Sequence, residues 1–388
     1  MYPNLYYAFD DLFGIKLEGL RWANSFGFFV AIAFMLCAWV LSKELKRKEK
    51  QGLLTFKEEK IWIGKPASLF ELCWNGLLGF IVGYKLIGIV TGLSATASSP
   101  QEYILSDKGN IFGGIALAAF LAGLRWWEKR KKQLPKPEQR IVRIWPHDRV
   151  SDLVLVAALF GFLGAKIFNS LENWNQFIQD PIKELTSFSG LTFYGGLICA
   201  GVAMYYFTKK NKIAFIPFLD ALVIPMMLAY AVGRIGCQVS GDGDWGIENI
   251  HPKPLSWLPN WMWGYQYPHN VVSEGVPIPG CVGQQYCSQL PIPVFPTPFY
   301  ETVVCLVLFL ILWAMRKKVR KVGVIAGIYF IMNGLERFFI EKIRVNTQYH
   351  FWGINPTQAE IISTLLVALG IFMLVYFTRK SGKKQLKT

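Results

Sequence analysis

Between Tyr230 and Gly246 the chain reads Tyr-Ala-Val-Gly-Arg-Ile-Gly-Cys-Gln-Val-Ser-Gly-Asp-Gly-Asp-Trp-Gly, placing Arg234 between Gly233 and Gly236 at the end of a long apolar run. A guanidinium near membrane depth costs about 2.5–3.5 kcal/mol on insertion scales and is usually kept for function. Its planar fork binds phosphate bidentately, so the chemistry it suggests is recognition of a lipid phosphate. A long basic side chain at a helix end can also snorkel to the interface, and Arg234 alone does not separate the two readings. A second cluster, Asn333-Gly-Leu-Glu336-Arg337-Phe-Phe-Ile-Glu341-Lys342-Ile-Arg344, carries Arg337 and Glu341 four residues apart, on one helix face and able to pair. Either that pair is structural, or Arg337 joins Arg234 as the second half of a phosphate clamp. The third element is Pro298-Phe-Tyr300-Glu301. Glu301 either complements a helix N-terminus, or it orients a clamp arginine or takes a proton.

Other chemistries find little support. Gly241, Gly243 and Gly246 form a Gly-x-Gly-x-x-Gly pattern, but no strand–helix unit surrounds it, and Asp242 and Asp244 would repel a pyrophosphate. A calcium site from Asp242, Asp244 and Glu248 matches only a fragment of a full calcium loop. His147, His251, His269 and His350 have no metal-ligand spacing, and no nucleophile elbow occurs. Neither a metal nor a diffusible cofactor is expected.

Membrane helices must position these groups. Apolar residues make up 53% of the 388 and charged residues 17%, too apolar for a soluble protein with so many uninterrupted hydrophobic stretches. About nine spans are expected, near 24–42, 69–91, 111–127, 150–170, 191–208, 214–237, 298–315, 321–341 and 357–377. The fold class is an all-α polytopic membrane protein, 1–388 as a single membrane domain. Of the 41 Lys and Arg residues, 30 fall in 43–65, 125–149, 209–212, 316–321 and 379–388, whereas 238–297 contains only Lys253. That alternation is the positive-inside pattern. It predicts a periplasmic N-terminus, a cytoplasmic C-terminus and a periplasmic lobe at 238–297, rich in Pro, Trp, Tyr and Gly. The N-terminus reads as a mature end, not a signal peptide. Orientation accounts for the net charge of +15, so no nucleic-acid partner is expected. Cys281 and Cys287, both in the outer segment, suit a short-loop disulfide.

The chain also carries an internal repeat. Ser68-Leu69-Phe70 and Gly83-Tyr84-Lys85-Leu86-Ile87 resemble Ser151-Asp152-Leu153 and Gly164-Ala165-Lys166-Ile167-Phe168, and Phe112-Gly113-Gly114-Ile115 resembles Tyr194-Gly195-Gly196-Leu197. Two spans per copy give both copies one orientation, so 68–127 reads as a duplicated helix pair resembling 151–208, a parallel repeat. Phe112 lacks the hydroxyl of Tyr194.

Taken together, Tyr194-Gly195-Gly196-Leu197, Gly233-Arg234-Ile235-Gly236 with Gly241-Asp242 and Trp245-Gly246, Pro298-Phe-Tyr300-Glu301, and Arg337 to Arg344 with Glu341 resemble prolipoprotein diacylglyceryl transferase, a bacterial inner-membrane family. The resemblance runs from about Val150 to the C-terminus. It implies transfer of the diacylglyceryl group of phosphatidylglycerol to the lipobox cysteine of a preprolipoprotein, with a thioether formed and glycerol phosphate released. On that reading Tyr194, Arg234, Arg337, Glu341 and Glu301 are the catalytic residues. Arg234, Arg337, Gly195, Gly196, Asp242, Gly246 and Tyr300 bind the lipid. The implied partners are phosphatidylglycerol, signal peptides of preprolipoproteins and the lipid bilayer, with the protein a multi-pass monomer of the inner membrane. The alternatives are a lipid-binding or transport protein using the same clamp, or an inactive paralogue. The family's His-Gly-Gly reads Tyr194-Gly195-Gly196 here, Cys237 and Ser240 stand where asparagines are usual, and Asn333 replaces a tyrosine. Gly243 is inserted after the acidic position at Asp242, and the spans at 69–127 have no counterpart. Tyrosine has an ordinary pKa near 10 and is a poor base, so Glu341, Glu301 and Asp242 stand beside Tyr194 as proton acceptors.

Overall fold

The computed structural model describes residues 1–388 apart from 93–102, 105, 187–189, 191, 282–284, 347–348, 350–354 and 386–388. Its described elements are twelve α-helices and four short strands. The helices are α1 Leu5–Phe13, α2 Ser25–Lys50, α3 Leu69–Val90, α4 Ile111–Lys131, α5 Val150–Glu172, α6 Trp174–Gln179, α7 Pro181–Thr186, α8 Phe193–Lys210, α9 Phe215–Ser240, α10 Thr297–Met315, α11 Val324–Glu341 and α12 Gln358–Gln385. The strands are β1 Lys57–Ile63, β2 Glu138–Ile144, β3 Val276–Pro277 and β4 Ser288–Gln289. Each expected span folds as a helix. Seven are long and apolar enough to cross a membrane: α2, α3, α4, α5 with its preceding turn, α9, α10 and the Gln358–Arg379 part of α12. The other two, α8 and α11, fall short for a readable reason. Each has only 18 residues. α8 spends them partly on Tyr194, Tyr205, Tyr206, Lys209 and Lys210, and α11 carries Glu336, Arg337 and Glu341.

Two compact units divide the described chain. The first comprises Met1–Thr55, Pro146–Val154 and Thr208–Thr388. At its centre α9 packs against α2 and α10, while α11 packs against α12. Val223, Ile224, Met227 and Ala231 of α9 meet Cys305 and Leu312 of α10, Ile325, Ala326 and Tyr329 of α11, and Met373 of α12. Glycine sets the α11–α12 approach: a Cβ on Gly370 would lie 2.6 Å from the Gly327 carbonyl oxygen, and one on Gly334 2.7 Å from that of Ser363. One end of this unit is tied by buried charges. Asp220 of α9 accepts from Gly323 N (2.8 Å) and Ala326 N (2.9 Å), capping α11 from another helix, and pairs with Lys48 of α2 at 3.3 Å. Beside it Glu44, fully buried, holds both Arg47 and Arg316.

The 241–296 segment is mostly irregular, its core formed by Trp245, Tyr267, Leu290 and Val294. Backbone bonds stitch it to the helix ends, among them Gly246 N to Phe295 O (2.9 Å) and Ile247 N to Ile343 O (2.9 Å). Cys281 and Cys287 are disulfide-bonded.

The second unit comprises Phe56–Trp145 and Leu155–Phe207. In it β1 and β2 form an antiparallel ribbon, and α3 lies against α4. A Cβ on Gly83 would lie 2.4 Å from Gly113 O, and one on Gly164 2.6 Å from Gly195 O. Gly113 faces Ile87 as Gly195 faces Phe168. Lys85 Nζ donates to Tyr103 O, and Lys166 Nζ to Glu184 O, each at 2.9 Å and each eighteen residues on.

Candidate functional site

The site-forming charges of the first unit converge where α9, α10 and α11 meet the 241–246 turn. α9 runs helical to Ser240 and stops at Gly241, whose φ of 64° is left-handed and cheap only without a Cβ. Gly243 repeats that conformation at φ 95°, so the chain doubles back with Asp242 and Asp244 on either side of it. Gly246 then passes hard against the end of α11. A Cβ there would lie 2.4 Å from Ile343 O and 2.9 Å from Thr297 Cγ2, and Gly246 bridges to Arg344. Thr297 fixes the turn by donating to Asp244 O at 2.7 Å. Gly236 serves another contact, lying against Phe26 and Phe29 of α2, and Gly233 faces open space.

Glu301 is the hub. Its side chain is fully buried one turn into α10, and three guanidiniums reach it: Arg234 Nε at 2.5 Å, Arg337 Nη1 at 3.1 Å and Arg344 Nη1 at 3.6 Å. The Tyr230 hydroxyl donates to it at 3.4 Å. The sequence leaves three roles open to Glu301, and the side-chain contacts here are with three arginines and a tyrosine. Asp244 is a second bridge, pairing with Arg234 Nη1 and with Arg344 Nη2 at 2.7 Å. Arg337 Nη2 pairs with Glu341 at 3.0 Å, as their spacing predicts, and Asn346 donates to Glu341 at 2.6 Å. Three arginines thus face three carboxylates at one site, and Arg344 Nε and Nη1 have no hydrogen-bond acceptor among the described residues. Buried charges survive only when paired and hydrogen-bonded, so the network holds its own shape and keeps donors for an anion.

Outside the spans the two aspartates differ. Burial pushes the Asp242 carboxyl up from its ordinary value, and the neighbouring Asp244 adds to the effect. Burial would raise Asp244 as well, but the guanidiniums of Arg234 and Arg344 outweigh it and hold that carboxyl at about 2. Cys237, Asp242 and Asp244 bring ligand atoms within 4.8 Å of one another, the one such group among the described residues. Arg234, with Nη1 3.7 Å from Cys237 Sγ, puts positive charge against that position, so the surroundings favour an anion over a cation. Glu248 is outside this group, its backbone bridging Val294.

Arg234, Glu301, Arg337 and Glu341 are therefore in one network, with Asp242 and Gly246 in the turn that abuts it. Tyr300 turns toward the 241–296 segment, donating to Met262 O at 2.9 Å. Tyr194 is half-buried in the first turn of α8, in the second unit, and Gly195 and Gly196 pack on α5 there. Sequence reasoning did not select Asp244, Arg344, Tyr230 or Glu336 as site residues. The signal for Asp244 was an acid ten residues after a membrane arginine, and Arg344 sat past the helix end where periodicity stops informing. Glu336, 8% exposed with neither carboxylate oxygen hydrogen-bonded among the described residues, had no partner spacing to reveal it.

A family profile described as prolipoprotein diacylglyceryl transferase matches residues 103–376. The chain is 27% identical over 276 residues to the phosphatidylglycerol–prolipoprotein diacylglyceryl transferase of Leptospira interrogans, covering 58% of this chain and 78% of that one. It is 27% identical over 237 residues to the enzyme of that name from Clostridioides difficile, covering 60% and 80%. For the one from Enterococcus faecalis the figures are 27% over 296 residues, 72% and 91%.

Proposed function

The chain belongs to the prolipoprotein diacylglyceryl transferase family, and from that premise we propose that its three-arginine network is the centre where lipid phosphate is bound and released. The protein transfers the diacylglyceryl group of phosphatidylglycerol to prolipoprotein. The observation that carries the site assignment is the convergence of Arg234, Arg337 and Arg344 on the buried Glu301, with two Arg344 nitrogens lacking hydrogen-bond acceptors among the described residues.

In the reaction the thiol sulfur of the lipobox cysteine attacks the glyceryl carbon, the carbon–oxygen bond to phosphate breaks, and glycerol phosphate departs. The arginines stabilise charge that grows on the leaving phosphate, and they do so most effectively because water is largely excluded. Three carboxylates already neutralise them, so an arriving phosphate must displace one. Asp244 is the one to yield: its side chain is 36% exposed and lies in the turn, whereas Glu301 and Glu341 are fully buried. The thiol must lose its proton to attack. Glu301 and Glu341 are committed to guanidiniums; Asp242, whose carboxyl burial pushes up, is the acceptor.

We further place nine spans in the bacterial inner membrane, with the N-terminus and the 238–297 lobe periplasmic. The support is the alternation of Lys and Arg between successive segments. The signal peptide docks at the same outer end, and the protein acts as a monomer. The matched glycine contacts and lysine-to-carbonyl bonds of the two helix pairs support reading 68–127 as a copy of 151–208.

The test is reconstitution in phosphatidylglycerol vesicles with a lipobox-bearing preprolipoprotein, read by mass. Wild type should add one diacylglyceryl group, while Arg234→Ala and Arg337→Ala, still inserted, should each fall by about 100-fold or more, as for loss of an oxyanion donor. No mass gain by well-inserted wild type on any lipobox substrate would sink the reading.

A further inference from the structure

At one end of the α3–α4 pair, Glu71 at the start of α3 holds Arg125 and Lys129 of α4 at 3.4 and 3.2 Å. The ribbon joins there: Leu134 N donates to Gly64 O at 3.3 Å, and a Cβ on Gly64 would lie 2.6 Å from Leu134 Cβ. On this end cations sit over tryptophans. Lys65 Nζ is 4.4 Å from the Trp62 ring centroid, Arg130 Cζ 4.8 Å from that of Trp126, and Lys131 Nζ 5.6 Å from that of Trp127. The three tryptophans are 51%, 46% and 58% exposed. Among the described residues, the ion pairs at this end join carboxylates to Arg125, Lys129 and the ribbon residues Lys57, Arg140 and Arg143. The exposed Lys60, Lys65, Arg130, Lys131, Lys132 and Lys136 have no ion pair among the described residues.

The spacing gives these pairs a direction. In α4 each ring precedes its cation by four residues, so the ring stands one turn deeper in the span and the cation one turn further out. The second helix pair repeats the order with Tyr205 and Tyr206, both exposed, four residues before Lys209 and Lys210. An amphipathic ring at headgroup level with an uncompensated cation above it is what a layer of lipid phosphates attracts. A signal peptide does not fit this surface, because its own n-region is basic and would be repelled.

We propose that this end of the α3–α4 pair is a docking surface for anionic phospholipid headgroups, separate from the arginine network that acts on the donor lipid. The shared ligand chemistry is phosphate in a membrane plane, and the test uses phosphatidylserine so that headgroup binding is not confused with donor binding. The full chain is reconstituted in phosphatidylcholine nanodiscs with graded phosphatidylserine, and retained lipid is counted by native mass spectrometry. Combined Lys65→Gln, Arg130→Gln and Lys131→Gln should weaken phosphatidylserine retention by about 100-fold, given the usual contribution of each surface cation. Lys317→Gln, Lys318→Gln and Lys321→Gln, the same loss of charge elsewhere, should leave it near wild type. Trp126→Leu with Trp127→Leu, which keeps every cation, should weaken retention several-fold. Equal loss in the two triple variants, or retention unchanged in the first, would overturn the proposal. So would tighter binding of the surface to a soluble polyanion such as RNA than to the lipid.

Discussion

Glu301 shows why one carboxylate can decide a site. Three guanidiniums within a few ångströms repel one another, and in a membrane no water screens them; the acid between them is what makes the cluster tolerable. Glu301→Gln keeps the shape and removes the charge. It should lower transfer by about 100-fold and cost about 3–5 kcal/mol of stability, read by thermal unfolding alongside the mass assay. Wild-type stability in that variant would remove Glu301 from the centre of the network. Asp242 gives a pH prediction. Its folded carboxyl is raised above the ordinary 3.8, so it accepts a proton only above that raised value, and transfer should climb with pH through it. The same shift favours the folded state while Asp242 is protonated and is lost as pH rises past it, whereas Asp244, held at about 2, contributes stability lost as pH falls toward 2. Asp242→Asn should abolish most transfer and flatten the acid limb of what remains; an unchanged acid limb would exclude Asp242 as the base.

Helices deliver these residues through contacts that act at a distance. Asp220 touches nothing in the arginine network, yet it caps α11 across a helix boundary and pairs with Lys48. Since α11 carries Arg337 and Glu341, releasing its first turn loosens the helix that positions them. Asp220→Ala should destabilise by about 3 kcal/mol, leaving Lys48 buried and unpaired, and should lower transfer through reduced folded protein more than through turnover per folded molecule. Activity per folded molecule falling as far as in Arg337→Ala would contradict that division. At this scale much was legible: the helix positions and the Arg337–Glu341 pairing both follow from helical spacing. The cap on α11 was not, because Asp220 and Gly323 are a hundred residues apart and periodicity carries no information across that interval.

Over the whole molecule, the charge alternation implies that Lys253 and the arginine network share one membrane face and that Lys131 lies on the other. Cysteines introduced one at a time at those two positions, in a background without Cys37, Cys73 and Cys199, should label from opposite sides of intact cells. Labelling from the same side would reverse the orientation and with it the periplasmic placement of the site. The two short helices, α8 and α11, have a common explanation at this scale. In each, tyrosines and lysines or the charges Glu336, Arg337 and Glu341 take positions that apolar residues would otherwise fill, so a hydropathy criterion leaves out two helices that carry candidate residues.

Residue types and local spacing by themselves determined the helical membrane class, the positions of the spans, the family resemblance and most of the charged residues worth testing. Those follow from periodicity and from the cost of charge in an apolar run, which act within one segment. Tertiary structure alone decided that Glu301 collects three arginines, that Asp244 and Arg344 complete the set, and that Asp220 caps a helix it does not belong to. Each of those is a contact between segments brought together by packing, and no spacing within a single helix encodes which distant partner a charge will meet.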